Sequence, residues 1–415
     1  MTRKLITGNA AAAWGARLSS AEYIPAFPIT PQTEIIETLS GWIDNGEFDS
    51  KMTIFESEHS MVTAAGSAAT AGVRVFTATS SQGLMYAMEM LFTTAGWRSP
   101  FVLVNVSRGL SSPITLECDH NDVLAARDSG FIQIHCSTCQ EVLDSVIMGY
   151  RISESNEIRL PVIINLDGFY LSFTREPVEI PDYKSVEQYL GKYNRSYDCY
   201  SATSPQARGV IVLGGSQYSY FRYQTHLACL KALDVYETAS NEFNSLSGRS
   251  YSAVEQYMMD DAEYCFIMIG SFSTKGKDAV NRLRESGMKI GLLRPRLIRP
   301  FPAELLRAAL KGIKAAAVID QNISFGKGGI LYTEVSSVLY GISSSPPILV
   351  SYIGGLGGRD ITFNEFAAVA DELKESVQTG KVPEPRLLFN HTELEQVKAM
   401  QKIAGTNIEK EPKNG

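Results

Sequence analysis

Three positions carry side chains suited to a small acidic substrate. In Ala26-Phe-Pro-Ile-Thr-Pro-Gln-Thr-Glu34, two prolines flank Ile29-Thr30 and restrict the backbone before a helix that the pattern predicts to begin near Pro31. A helix start offers free N–H groups and the positive end of its dipole, so Thr30 reads either as the N-cap or as a hydroxyl presented to an anion. Glu56 and Glu58 stand two apart in Phe55-Glu-Ser-Glu-His-Ser60; on a strand or turn they share a face, on a helix they diverge. A carboxylate entering the small-residue stretch Met61 to Thr70 is costly unless paired, which sets a functional reading beside that of two exposed helix-start glutamates. Arg108 follows the apolar run Phe101 to Val106, at a predicted C-terminal strand end. Ligands of open parallel sheets bind beyond such ends, and the planar guanidinium matches a carboxylate bidentately; a surface arginine in a loop is the plainer alternative.

Other chemical groupings are weaker. Asp119-His-Asn-Asp122 is a polar cluster able to orient a substrate or bind a metal, but the remaining histidines (His59, His135, His226, His391) are scattered. That disfavours a histidine metal site or a Ser-His-Asp triad. Cys136-Ser-Thr-Cys139 has CxxC spacing without a second pair, so no cluster site is expected, and the two thiols read as buried groups at a strand end. Gly354-Gly-Leu-Gly-Gly-Arg-Asp360 and Gly326-Lys-Gly-Gly329 lack the order of a phosphate-binding loop and read as tight turns or subunit contacts.

These residues need elements to hold them. In the first third, apolar runs such as Val102 to Val106 alternate with helical patterns such as Leu84 to Ala95, which predicts βαβ units and a parallel sheet that Pro161 to Asn165 should close. A long irregular connection is expected from about Arg175 to Ser204, then a helix over Tyr223 to Met259, resumed at Ser252 to Gln256 after a Ser/Gly-rich break. A second α/β block follows, with strands at Tyr264 to Gly270, Lys289 to Leu293, Ala315 to Asp320 and Ile348 to Ile353, and a helix at Lys277 to Ser286. Ile408 to Gly415 reads as a solvated tail.

The chain has 415 residues, enough for two or three domains, and its 44% hydrophobic and 20% charged composition is that of a soluble globular protein. A net charge of −7 supplies no basic footprint for nucleic acid. No apolar run approaches the roughly 20 residues of a membrane span, and the N-terminus lacks a signal-peptide pattern, so a cytoplasmic protein is expected. Six cysteines are too sparse for a disulfide scaffold.

Taken in order along the chain, Gly8-Asn-Ala-Ala-Ala-Ala, Phe27-Pro-Ile-Thr-Pro-Gln-Thr, Glu56-Ser-Glu-His-Ser, Thr77-Ala-Thr-Ser-Ser-Gln-Gly-Leu, Val104-Asn-Val-Ser-Arg, Arg299-Pro-Phe-Pro, Asp320-Gln-Asn-Ile-Ser-Phe-Gly and Gly354-Gly-Leu-Gly-Gly-Arg-Asp resemble the alpha subunit of the multi-subunit pyruvate:ferredoxin oxidoreductase family. The resemblance implies an α/β fold, with a thiamine-pyrimidine-binding, doubly wound parallel-sheet domain over 1–240, a transketolase C-terminal-like domain over 255–375 and an extension over 376–415. It implies thiamine diphosphate shared with a beta subunit that brings Mg2+ and a proximal [4Fe-4S] cluster, delta-type and gamma partners, and a ferredoxin or other acceptor. A 2-oxoacid, pyruvate above all, is decarboxylated oxidatively and its acyl group passed to coenzyme A. Glu58 falls on the glutamate that hydrogen-bonds the aminopyrimidine N1′, Pro28 and Ile29 on cofactor contacts, Thr30 on a substrate-binding threonine and Arg108 on a carboxylate-binding arginine. The stretch Gly109 to Cys118 departs from the pyruvate enzymes, which keeps phenylglyoxylate or a branched-chain 2-oxoacid as alternatives; a non-catalytic assembly subunit is the rival of another class.

Overall fold

The computed structural model describes residues 2–193, 203, 205–343, 346–403 and 405. Apolar runs without alternation form strands buried on both faces, which requires helices on each side of their sheet. Val102–Ser107 and Val162–Asp167 are such runs, buried at every position. They pair in parallel at the centre of the first sheet, Val102 opposite Val162 and Ser107 opposite Asp167. Ile132–His135 lies parallel beyond Val162–Asp167, and Phe76–Thr79 beyond Val102–Ser107. A parallel bridge from Tyr23 to Val75 then brings up the parallel pair Tyr23–Ala26 and Lys51–Ile54. Since all these strands run one way, the residues after Ala26, Ile54, Thr79 and Ser107 gather along a single edge.

Several expectations need correction. The strand at Pro161 to Asn165 is central; the closing edge is Leu297–Arg299, which returns from the second half of the chain and pairs antiparallel with Ile132–His135. Arg175–Ile180 is no irregular connection but a strand antiparallel to Thr2–Thr7, because its charged residues alternate with buried Val178 and Ile180. Helix Tyr183–Leu190 follows, capped by Asp182, which accepts from the Ser185 N–H at 3.0 Å. The remainder of that stretch, 194–202 and 204, lies outside the described residues, as does the tail from Ile408 to Gly415. The bridging helix is Ser216–Ser247 and ends at Gly248 in a left-handed conformation. Val254–Tyr257, expected to resume it, is an edge strand antiparallel to Ile290–Pro295.

The second sheet runs Arg386–Leu387, Ile348–Ile353, Ala315–Asp320, Tyr264–Ile267, Ile290–Pro295, Val254–Tyr257, parallel except at that last edge. One hydrophobic cluster joins the halves: Phe101 and Ile163 of the first sheet share it with Ile267 and Val318 of the second. Beside it, Glu141 accepts from Arg294 Nη2 at 2.5 Å and from Arg296 Nη2 at 3.1 Å, and Glu255 accepts from Arg294 Nε at 2.6 Å. Polar ties add to this seam, with the Asp167 carboxylate taking the Ser271 N–H at 2.8 Å and the Gln321 carbonyl the His120 N–H at 2.8 Å.

Removing one member of a buried ion pair strands the other's charge in a low-dielectric interior. Glu141→Ala is therefore expected to destabilise the protein by about 3–5 kcal/mol, read as a lowered denaturation midpoint. The two arginines hold the Glu141 carboxyl well below the usual carboxylate range despite its burial. A depressed folded-state pKa stabilises above the ordinary glutamate value and the effect fades as pH falls, so the gap to wild type should narrow below about pH 4. A gap that is small, or widens in acid, contradicts this assignment.

Candidate functional site

Four segments meet on the edge where the parallel strands end. After Tyr23–Ala26 the chain turns through residues 27–32, held by Gln32: its N–H donates to the Ile29 carbonyl at 2.9 Å and its side-chain amide to the Phe27 carbonyl at 2.8 Å. Asn9 donates to the Pro31 carbonyl at 2.9 Å. These bonds extend the turn, so the helix begins at Thr33 and its cap position is Gln32, with no side-chain cap. Thr30 is thus not the N-cap. It is exposed, and no hydrogen bond to its hydroxyl is present among the described residues, while its carbonyl accepts from Arg108 Nη1 at 2.7 Å. Pro28 is exposed and Ile29 half-buried on the same turn.

After Lys51–Ile54, Ser57 caps the helix Glu58–Thr70, its Oγ accepting from the Ser60 N–H at 3.2 Å. Glu56 precedes the cap while Glu58 opens the helix, and there the two carboxylates part. Glu56 stays in solvent, where a hydrogen bond from Ser60 Oγ lowers its pKa. Glu58 turns inward to 5% exposure and has no hydrogen-bond partner among the described residues. The two glutamates therefore do not share a face.

The third segment, after Phe76–Thr79, is Ser80-Ser-Gln-Gly83. Ser81 has a positive φ of 48°, an unfavourable conformation for a residue with a Cβ, and its N–H is pinned to Asp122 Oδ2 at 3.0 Å. Gly83 lies so close to the inward glutamate that a methyl there would sit 2.5 Å from both Glu58 Oε1 and Thr79 Oγ1. The Thr79 and Ser80 hydroxyls are buried without partners. An unpartnered carboxylate and the unpartnered Thr79 hydroxyl beside a side-chain-free position suit a flat polar ring that can both donate and accept.

Arg108 follows Val102–Ser107 as the fourth segment. It is 6% exposed, its Nη2 donates to Gln82 Oε1 at 2.5 Å, and its Nε is buried without a partner. Burial lowers its pKa, and the nearby Asp122 charge opposes that only in part. No carboxylate lies within ion-pair distance of it among the described residues. Buried Arg74, Arg294 and Arg296 contrast with it, since each meets a carboxylate: Glu154 at 2.6 Å, Glu141 at 2.5 Å and Glu141 at 3.1 Å. Arg108 is a desolvated cation with neutral partners, the arrangement expected of an anion receptor.

The polar groups from Asp119 to Asp122 hydrogen-bond within the protein. Asp122 binds Ser107 Oγ, the Val123 N–H at 2.7 Å and Asn105 Nδ2 at 3.1 Å, and burial raises its pKa. His120 Nε2 lies 2.6 Å from Asp167 Oδ1, and Asn121 Oδ1 accepts from the Ile323 N–H at 2.9 Å. Among the described residues no group of three or more metal-ligating side chains is placed for an ion. Cys136 and Cys139 are buried thiols, and burial pushes Cys136 up to about 12. The loop from Gly354 is a tight turn, with Gly355 at φ 82° and the Gly358 N–H on the Cys118 carbonyl at 2.9 Å.

Thr79, Ser80, Gln82 and Gly83 complete the site; in the sequence they fall within a motif and have no assigned role. The available signal was a small polar run ending in glycine directly after a buried strand.

Residues 15–244 match the family model described as "Pyruvate flavodoxin/ferredoxin oxidoreductase, thiamine diP-bdg", and residues 262–366 that of "Pyruvate:ferredoxin oxidoreductase core domain II". Pyruvate synthase subunit PorA of Pyrococcus abyssi (strain GE5 / Orsay) is 39% identical over 383 residues, covering 92% of this chain and 96% of that one. Ketoisovalerate oxidoreductase subunit VorA of Pyrococcus horikoshii is 39% identical over 381 residues, with 92% and 96% covered. In fold, the chain is similar to a solved 2-oxoglutarate:ferredoxin oxidoreductase from Magnetococcus marinus, with a TM-score of 0.68 at 19% identity. That match covers 91% of this chain and 65% of the other, so this chain spans just under two thirds of its length.

Proposed function

The chain belongs to the pyruvate:ferredoxin oxidoreductase family as an alpha subunit, and on that premise we propose that it serves the oxidative decarboxylation of pyruvate. With coenzyme A the products are acetyl-CoA and carbon dioxide, and the electrons pass to ferredoxin. The observation that carries this reading is Arg108, buried and charged with neutral partners beside the free hydroxyl of Thr30. A 2-oxoacid carboxylate supplies the missing counter-charge, and Thr30 a further hydrogen bond.

Thiamine diphosphate, when bound, supplies the nucleophilic carbon that adds to the oxo group and retains the electrons left by departing carbon dioxide. Glu58 would accept a hydrogen bond from its aminopyrimidine ring and so set the protonation state of the neighbouring amino group. The buried hydroxyls of Thr79 and Ser80 suit that ring's other polar atoms, Gly83 leaves room for it, and Pro28 and Ile29 line the adjoining turn. The proposed domains are 1–240 for the thiamine pyrimidine, 255–375 for the transketolase C-terminal-like unit and 376–415 for an extension, part of which, Arg386–Leu387, joins the second sheet.

Activity requires partner subunits. Mg2+, the diphosphate site and a proximal cluster belong to a beta subunit in this reading, with gamma and delta-type subunits leading to ferredoxin. Exposed apolar residues flank the site, Ile54 before Glu58, Tyr86 after Gly83, Ile114 and Leu116 after Arg108, which supports a surface that a partner covers. Among the described residues no helix is long and apolar enough to cross a membrane, and the cytoplasm is the proposed location. A branched-chain 2-oxoacid is the second reading, favoured by equal 39% identity to pyruvate and ketoisovalerate relatives.

The direct test is viologen-dye reduction by the purified complex with coenzyme A and a panel of 2-oxoacids. Pyruvate is expected to give the highest kcat/KM; a maximum with 2-ketoisovalerate selects the second reading, and no reduction with any 2-oxoacid overturns both. Glu58→Gln should slow turnover at saturating thiamine diphosphate by roughly 10²-fold or more, the scale of a lost acid/base contribution, without disassembling the complex. Near-normal turnover removes Glu58 from the chemistry. Arg108→Ala should cost roughly 10- to 150-fold in kcat/KM, with Arg108→Lys intermediate because it keeps the charge and loses the fork. Wild-type values in both variants place the carboxylate site elsewhere.

A further inference from the structure

Gln82 is the side chain that touches both Arg108 and the loop after it. Its Oε1 accepts from Arg108 Nη2 at 2.5 Å and from Ser81 Oγ at 2.7 Å, and its Nε2 donates to Ser111 Oγ at 2.9 Å. The guanidinium fixes the amide's orientation, because it can only donate and must face the oxygen. The amide is itself anchored: Ser81 Oγ also reaches the Gly109 carbonyl at 3.0 Å, and the Ser81 N–H is held by Asp122.

The residue type matters as much as the contact. Glutamate has nearly the same shape, and at this place it would form a charge-assisted pair with Arg108. The positive charge would then be spent internally, as it is at Arg74, Arg294 and Arg296. A glutamine holds one arm of the fork by its dipole and leaves the charge unmatched. Together with the Thr30 carbonyl on Nη1, it fixes the guanidinium plane through two neutral acceptors. Ser111 lies near the start of the 109–118 segment, which carries the exposed side chains of Ile114 and Leu116, so the same amide ties the fork to the loop on which a substrate's alkyl group would be read.

We propose that Gln82 is a positioning residue for the 2-oxoacid carboxylate: its neutral amide orients the Arg108 fork without neutralising it, and couples that orientation to the Ser111 loop. The inference rests on the reading of Arg108 as the carboxylate receptor. Gln82→Glu places an internal anion on the fork, and Gln82→Met keeps length and bulk while removing the hydrogen bonds to Arg108, Ser81 and Ser111.

Steady-state kinetics of the assembled complex test it, with viologen as acceptor and pyruvate and 2-ketoisovalerate as varied substrates. Gln82→Glu is expected to raise the 2-oxoacid KM by roughly 10- to 150-fold, the scale of one charge-assisted interaction. Gln82→Met is expected to raise it by roughly 2- to 12-fold, about one ordinary hydrogen bond's worth of lost alignment on a fork that keeps its charge, and to alter the ratio of kcat/KM between the two acids. In both variants kcat falls by less than KM rises, and the KM for coenzyme A stays at its wild-type value. A purely structural role gives another order: the near-isosteric glutamate is the milder change, and kcat falls with assembly. That order overturns the proposal, as do wild-type 2-oxoacid KM values in both variants while Arg108→Ala is impaired. If Arg108→Ala retains wild-type kcat/KM, the receptor reading itself has failed, a result the Gln82 variants alone do not produce.

Discussion

A guanidinium withdrawn from water and left without a counter-ion is the constraint around which this half of the molecule is arranged. Arg108 keeps its charge because its fork rests on a backbone carbonyl and a side-chain amide. Both acceptors must be brought there by other segments, one ending the strand Tyr23–Ala26 and one ending Phe76–Thr79. The parallel sheet delivers them to the same edge, and short polar ties then fix them: Gln32 and Asn9 on the first turn, Asp122 beneath the second. A buried carboxylate used in this way binds backbone N–H groups and spares the fork, which is why Asp122 can lie close to Arg108 without pairing with it.

The same chain treats its other buried cations in the opposite manner. Arg294 and Arg296 share Glu141 and Glu255 at the seam between the two sheets, where full pairing holds the halves in register. Paired charge serves architecture there; on the neighbouring edge, under the proposed function, unpaired charge is kept for a substrate carboxylate. Glu58 is the anionic counterpart of Arg108 in this respect, a carboxylate entering the interior at a helix start close to the bare Cα of Gly83 and the idle hydroxyl of Thr79. Such unmet groups are costly in an isolated fold and are retained where a ligand satisfies them.

Much of this was legible in the residues. Uninterrupted apolar runs located the central strands, and the placement of Arg108 just past one of them pointed to the edge on which the candidate site lies. The helix start was read two residues early because Thr-Pro commonly opens a helix, whereas the side chain of Gln32 folds back on Phe27 and delays the start to Thr33, leaving Thr30 exposed before it. Spacing could not separate Glu56 from Glu58, since the helix that starts at Glu58, one residue past the Ser57 cap, decides which enters the core. Val254–Tyr257 was hidden because four residues at a sheet edge show too little alternation to outweigh a neighbouring helical pattern. Gln82 was beyond reach, as its meaning lies in contacts with Arg108 and Ser111 made only by the folded chain.

The account turns on where a substrate carboxylate goes, and the most direct measurement is a crystal structure of the assembled complex with a bound 2-oxoacid. It predicts the carboxylate on the Arg108 fork, with oxygen–nitrogen distances of about 2.7–2.9 Å, and the Thr30 hydroxyl turned toward it. A carboxylate bound at another cation, with Arg108 still holding only Thr30 and Gln82, would contradict it.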